Sequence, residues 1–187
     1  QLISKETAGG KSVVVIEKGE PKSCNIVTSC EGKGKTFIMF SDDLDKALAT
    51  FVLANGAAAT GQKVTIFFTF WGLNVIKKLH KPNVEKDIFG KMFGMMLPSS
   101  SRKLKLSKMS MGGIGGKMMR YIMNRKGIDS LESLRQQALE NGVEFIACQM
   151  SMDVMGVKQE ELLDEVTIGG VATYMERADN ANINLFI

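Results

Sequence analysis

At 187 residues, 44% hydrophobic and 24% charged, the chain has the length and balance of one globular domain with some excess. A formal net charge of +4, with basic residues scattered apart from SRKLKLSK at 101–108, argues against a nucleic-acid-binding surface. Three cysteines at irregular spacing argue against a disulfide scaffold and for a reducing, cytoplasmic setting, and no apolar run reaches the ~18 residues of a membrane span.

Residues 1–19 read as two short strands joined at Gly9-Gly10, a hairpin too small to stand alone. The chain opens on it at Gln1, which suggests a piece of a longer protein. Residues 20–34, rich in Pro, Gly, Ser and Lys, read as a linker. The linker carries Cys24 and Cys30 in a C-x5-C spacing that matches neither a zinc knuckle nor a redox pair, which leaves them passive or accessory thiols.

The main domain is expected over 35–187. KTFIMFS (35–41) is a continuous apolar run, as in a strand buried on both faces. A helix follows, capped by Ser41 or Asp42, with Leu44, Ala47, Leu48, Phe51 and Val52 on its apolar face. QKVTIFFTFWG (62–72) is a second strand, so the three elements form a parallel βαβ unit. A short helix is expected after Gly72, ending near Pro82. Residues 88–119 mix Met, Gly, Ser and Lys without a sustained period and read as an insertion; they hold many of the 13 methionines. Residues 118–127 look helical up to Gly127. A helix then starts at Asp129 or Ser130 in a capping box, turns Leu131, Leu134, Ala138 and Leu139 inward, and stops at Gly142. VEFIACQ is the third strand. A turn and short helix, a helix over TIGGVATYMERADNA and a closing strand INLFI complete the chain.

This alternation predicts an α/β fold: an open, mostly parallel sheet with helices on both faces. Ligands of such sheets bind beyond the carboxyl ends of the strands, which directs attention to three loops: Ser41–Asp43, Thr69–Leu73 and Cys148–Asp153. The residues alone leave Cys148 open. It is either a small buried hydrophobe, the commoner use of a free cysteine, or a thiol whose thiolate is stabilised by the amides of the helix behind it. Ser41, Asp42, Phe70, Trp71, Gly72, Gln149, Met150, Met152 and Asp153 would line a cleft around it, with Asp153 as the helix cap; core packing is the simpler reading of the aromatics. His80, the single histidine, sits in a Lys-rich helix end, so acid–base and metal catalysis have few groups to use and no cofactor or metal is expected. MGGIGGKM lacks the Ser or Thr of a phosphate loop, because Met118 follows Lys117.

KTFIMFSDDLDKALATFVLANGAAATGQKVTIFFTFWGLNVIKK, KMSMGGIGGKMMRYIMNRKGIDSLESL and VEFIACQMSMDVMGV…GGVATYMERADNANINLFI together resemble the DsrE/DsrF/DsrH-like sulfur-relay family over about 35–187. The resemblance is to the branch fused to CoA-disulfide-reductase-like pyridine nucleotide-disulfide oxidoreductase, rhodanese and TusA-like domains. Residues 1–19 look like the tail of a TusA-like domain without its Cys-Pro motif. The resemblance implies a flavodoxin-like three-layer sandwich, frequently a homo-oligomer, that carries sulfane sulfur as a persulfide on Cys148. Sulfur-donor and acceptor domains of rhodanese-like or TusA-like type would be its partners, with the nearby methionines shielding the persulfide or docking the donor. Against it stand a non-catalytic interaction domain, whose Met-rich segment mediates self-association or membrane-surface contact, and a small-ligand-binding domain.

Overall fold

The computed structural model describes residues 34–79, 92, 94, 97–108 and 111–187. The expected hairpin, nearly all of the linker with both of its cysteines, His80 and part of the insertion lie outside them.

Five strands form one sheet: β1 (Gly34–Met39), β2 (Val64–Phe68), β3 (Glu144–Cys148), β4 (Thr167–Gly169) and β5 (Ala181–Phe186). They lie in the order β4-β3-β2-β1-β5, and all four pairings are parallel. The α/β expectation therefore holds. Among the described residues, five α-helices have both ends defined: α1 (Leu44–Ala59), α2 (Ile114–Arg125), α3 (Leu131–Glu140), α4 (Gln149–Met155) and α5 (Val171–Asp179).

Strand alternation divides the interior unequally. Phe37, Met39, Ile66, Phe68, Phe145 and Ala147 face α1 and α3 and form the main core. Phe67, Ile146 and Cys148 point the other way and meet Tyr174 of α5 in a small second cluster. In the main core, Phe51 of α1 packs on Phe68 and Phe145 at ring separations of 6.4 and 5.8 Å. The buried stripe of α1 is Leu44, Ala47, Thr50, Phe51 and Ala54. Val52, expected inward, is exposed, because one residue past Phe51 it stands about 100° around the helix.

Local chemistry accounts for the helix ends. Ser130 Oγ accepts the amide of Ser133 at 3.1 Å, as the expected start of α3 requires. α1 instead begins after Asp43, which makes no side-chain cap bond; Ser41 hydrogen-bonds Asp43 and Asp42 is engaged elsewhere. α2 starts at Ile114, four residues before the expected stretch, and a positive φ at Gly127 follows its end. Two further expectations are corrected. The helix after Gly72 is a 3-10 segment, Phe70–Ile76, already begun at the strand end. Thr167–Gly169, expected within a helix, is strand β4.

Candidate functional site

Parallel strands bring the loops after β1, β2 and β3 to one end of the sheet, and specific bonds hold them together there. Thr69 and Gly72 donate their amides to Met39 O and Phe40 O at 3.1 and 2.8 Å, joining the second loop to the end of β1. Asn74 Nδ2 donates to Asp42 Oδ2 at 3.0 Å, a second link between these loops. The third loop is joined to the second by the buried hydroxyl pair of Thr69 and Ser151, 2.8 Å apart. From behind, Arg135 of α3 donates to Val75 O at 2.8 Å; burial lowers the pKa of its guanidinium.

The second loop follows an uncommon path. Phe70 has φ +45°, a genuine outlier for a bulky residue. Gly72 packs so closely under β1 that a Cβ would lie 1.9 Å from Met39 O, so glycine is required there for space. The strained Phe70 carries its ring against Phe40 at 5.4 Å, and Phe40 meets Phe186 of β5 at 5.7 Å. Trp71, next in the chain, is 41% exposed.

Cys148 is the last residue of β3 and the N-cap of α4, and it is the free cysteine among the described residues. It stands one position beyond Ala147, whose partner on β2 is Phe68, and on its other side it pairs with Gly169 of β4. Its exposure is only 2%. The thiol thus sits at the carboxyl edge of the sheet, within the second cluster and beneath the α5 layer.

The predicted cleft residues part company around it. Gln149 and Met150 are exposed, Met150 by 54%. Gln149 Nε2 donates to Asp153 Oδ1 at 2.9 Å, so Asp153 lies within α4 and the cap position belongs to Cys148. Met152 and Met155 turn into the main core. Ser41, Asp42 and Phe70 are half-buried in the joined loops and Gly72 is fully buried there. Burial raises the pKa of Asp42, more than the Asn74 bond lowers it.

Sequence reasoning missed Thr69 and Ser151 as a buried hydroxyl link, Asn74 as the partner of Asp42, and Tyr174 above the thiol cluster. The available signal for the first pair was a hydroxyl just past each of two strand runs, Thr69 directly after Phe68 and Ser151 three residues after Cys148. Tyr174 gave none, because its position depends on which strand pairs lie beneath α5.

Among the described residues, two cavities lie beside the sheet. One, of about 710 Å³, adjoins the start of α3 and is lined by Leu44, Arg102, Arg120, Met123, Leu131 and Glu132, among others. Arg120 is already paired with Glu132 at 3.2 Å. The other, of about 900 Å³, lies at the amino ends of β1–β3, with Thr36, Thr65, Glu144 and Arg177 in its wall. Cys148 lines neither. Among the described residues no group of three or more His, Cys, Asp or Glu side chains is placed to hold a metal, and no helix is long and apolar enough to cross a membrane.

A parallel five-stranded sheet covered on both faces, with a buried thiol at the carboxyl end of an interior strand, defines an open α/β protein. The chain belongs to the DsrE/DsrF/DrsH-like family, whose profile matches residues 32–186. It is 44% identical over 155 residues to the uncharacterized protein YrkE of Bacillus subtilis, covering 83% of this chain and 97% of that one. It is 38% identical over 161 residues to the sulfur carrier protein DsrE2 of Allochromatium vinosum, covering 84% of this chain and 99% of the relative. Among solved structures, the ychN protein of E. coli matches with a TM-score of 0.47 at 10% identity, over 82% of this chain and 99% of that chain, too distant to bear on the site.

Proposed function

We propose that this chain relays sulfane sulfur as a persulfide on Cys148. The observation that carries the reading is the position of the thiol: the last residue of an interior parallel strand, at the sheet end where three bonded loops converge. Family membership and the likeness to a protein named as a sulfur carrier support the same reading.

The chemistry asks little of the surroundings. The Cys148 thiolate attacks the outer sulfur of a donor persulfide, the donor's S–S bond breaks, and the donor leaves as its thiolate. Cys148 then bears –S–SH. An acceptor thiolate attacks that outer sulfur in turn, and Cys148 leaves as thiolate. Two exchanges conserve charge and consume no oxidant, so they require neither a metal nor a cofactor. Partners are accordingly thiol-bearing domains of rhodanese-like or TusA-like type. In this reading the chain works as part of a larger multidomain, homo-oligomeric assembly in the cytoplasm. Met150, two residues beyond Cys148 in the chain, is exposed and would be available to meet such a partner.

Peptide mapping tests the assignment. After incubation with a persulfide donor and trapping with an alkylating reagent, the added sulfur is expected on the peptide containing Cys148. Sulfur confined to the peptide containing Cys24 and Cys30 would move the chemistry to the linker.

A further inference from the structure

A thiol that is 2% exposed cannot exchange sulfur with another protein until something above it moves. We infer that helix α5 is the movable cover of Cys148, and that Tyr174 and Arg177 are the positioning residues that hold it closed. As an account of thiol access this stands on the geometry; as regulation of the relay it rests on the function proposed above.

The attachment of α5 is thin. Of its nine residues only Tyr174 is buried, while Val171 and Met175 are each at least half exposed. Following β5 carries no buried residue at all. The cluster beneath α5 is Phe67, Ile146, Cys148 and Tyr174, with Ile38 and Ala178 at its margin, against a far larger core on the other face. An element with so little buried apolar area opens at low free-energy cost relative to global unfolding.

Two posts, one helical turn apart, fix the cover. The Tyr174 ring lies 5.2 Å from that of Phe67, and its hydroxyl is 3.3 Å from Thr36 Oγ1. Arg177 grips Glu144 of β3 with two prongs, Nε to Oε2 at 2.9 Å and a terminal nitrogen to Oε1 at 3.2 Å, while Thr65 steadies the carboxylate from β2 at 2.9 Å. Beside the second post lies the cavity of about 900 Å³, with Arg177 and Asn180 in its wall, so the carboxyl end of α5 is not packed solidly. At the amino end, Gly170 precedes the helix in open space, with no atom within 4 Å of where a Cβ would stand, and Gly169 pairs with Cys148 itself. Rotation about Gly170 would lift Tyr174 from the cluster and leave the main core intact.

The test measures how fast iodoacetamide alkylates Cys148 in the full chain carrying Cys24→Ser and Cys30→Ser, at increasing sub-denaturing urea. The cover predicts labelling through a sub-global opening, with a urea dependence shallower than that of global unfolding. Arg177→Gln is expected to raise the rate about fivefold, Arg177→Lys to restore part of the protection, and Tyr174→Phe to raise it more modestly. Leu48→Ala, which loosens the main core, is expected to leave the sub-global rate unchanged. The inference is overturned if labelling follows global unfolding in every variant, or if Leu48→Ala accelerates it as much as Arg177→Gln. Alkylation does not depend on sulfur transfer, so the cover and the relay can fail separately.

Discussion

The side-chain amide of Asn74 donates to the carboxyl of Asp42 at 3.0 Å, while its own oxygen, fully buried, has no hydrogen-bond partner among the described residues. Burial pushes the Asp42 pKa upward, in the direction that favours protonation and so a carboxyl that can also donate. A carboxyl whose folded pKa lies above its unfolded value stabilises the fold at low pH, and that contribution is lost as pH rises from about 3.8 through the raised value. Asp42→Asn keeps the acceptor and supplies a permanent donor. Its Tm is expected to exceed that of the parent by a few degrees at pH 7 and to converge with it in acid, read by thermal melts across pH.

Glu144 has the opposite sign. The Arg177 hydrogen bonds hold its pKa below the usual carboxylate value of 4.5, so its contribution is present above that value and is lost as pH falls through the lower folded pKa. Glu144→Gln is expected to lower Tm at neutral pH and to flatten the acid limb of the Tm–pH curve. Parallel curves for parent and variant would show that the pair contributes nothing.

Gly72→Ala puts a methyl carbon 1.9 Å from the carbonyl oxygen of Met39, a backbone atom with no rotamer to yield. The second loop must shift bodily, at an expected cost of about 3 kcal/mol or more by urea titration.

Ser151→Ala leaves the Thr69 hydroxyl buried without its partner, at an expected cost of about 1–3 kcal/mol. Adding Thr69→Val removes the orphan, and the double variant is expected to recover part of the loss. A double-mutant cycle with no coupling would contradict the link between the second and third loops.

The strand runs at 35–41, 62–72 and 143–149 were legible because strands buried on both faces are continuous apolar stretches. β4 was not, since the three residues Thr-Ile-Gly owe their extended form to pairing with Ile146–Cys148. The convergence of the three loops was foreseeable from parallel topology alone. Burial of Cys148 was one of the two readings its residue type left open, and the structure takes it. The place of α5 on the second face was not legible, because it depends on the return of the chain across the sheet. The cap assigned to Asp153 failed for a local reason: α4 starts immediately after Cys148 and leaves Asp153 inside the helix.

Intact-protein mass spectrometry after incubation with a persulfide donor tests the central claim most directly. The account predicts a reductant-reversible gain of about 32 Da per sulfur atom that persists when Cys24 and Cys30 are replaced by serine and is absent in Cys148→Ser. A gain that survives in Cys148→Ser, or no gain from any of several donors even in urea that opens the thiol, would contradict it.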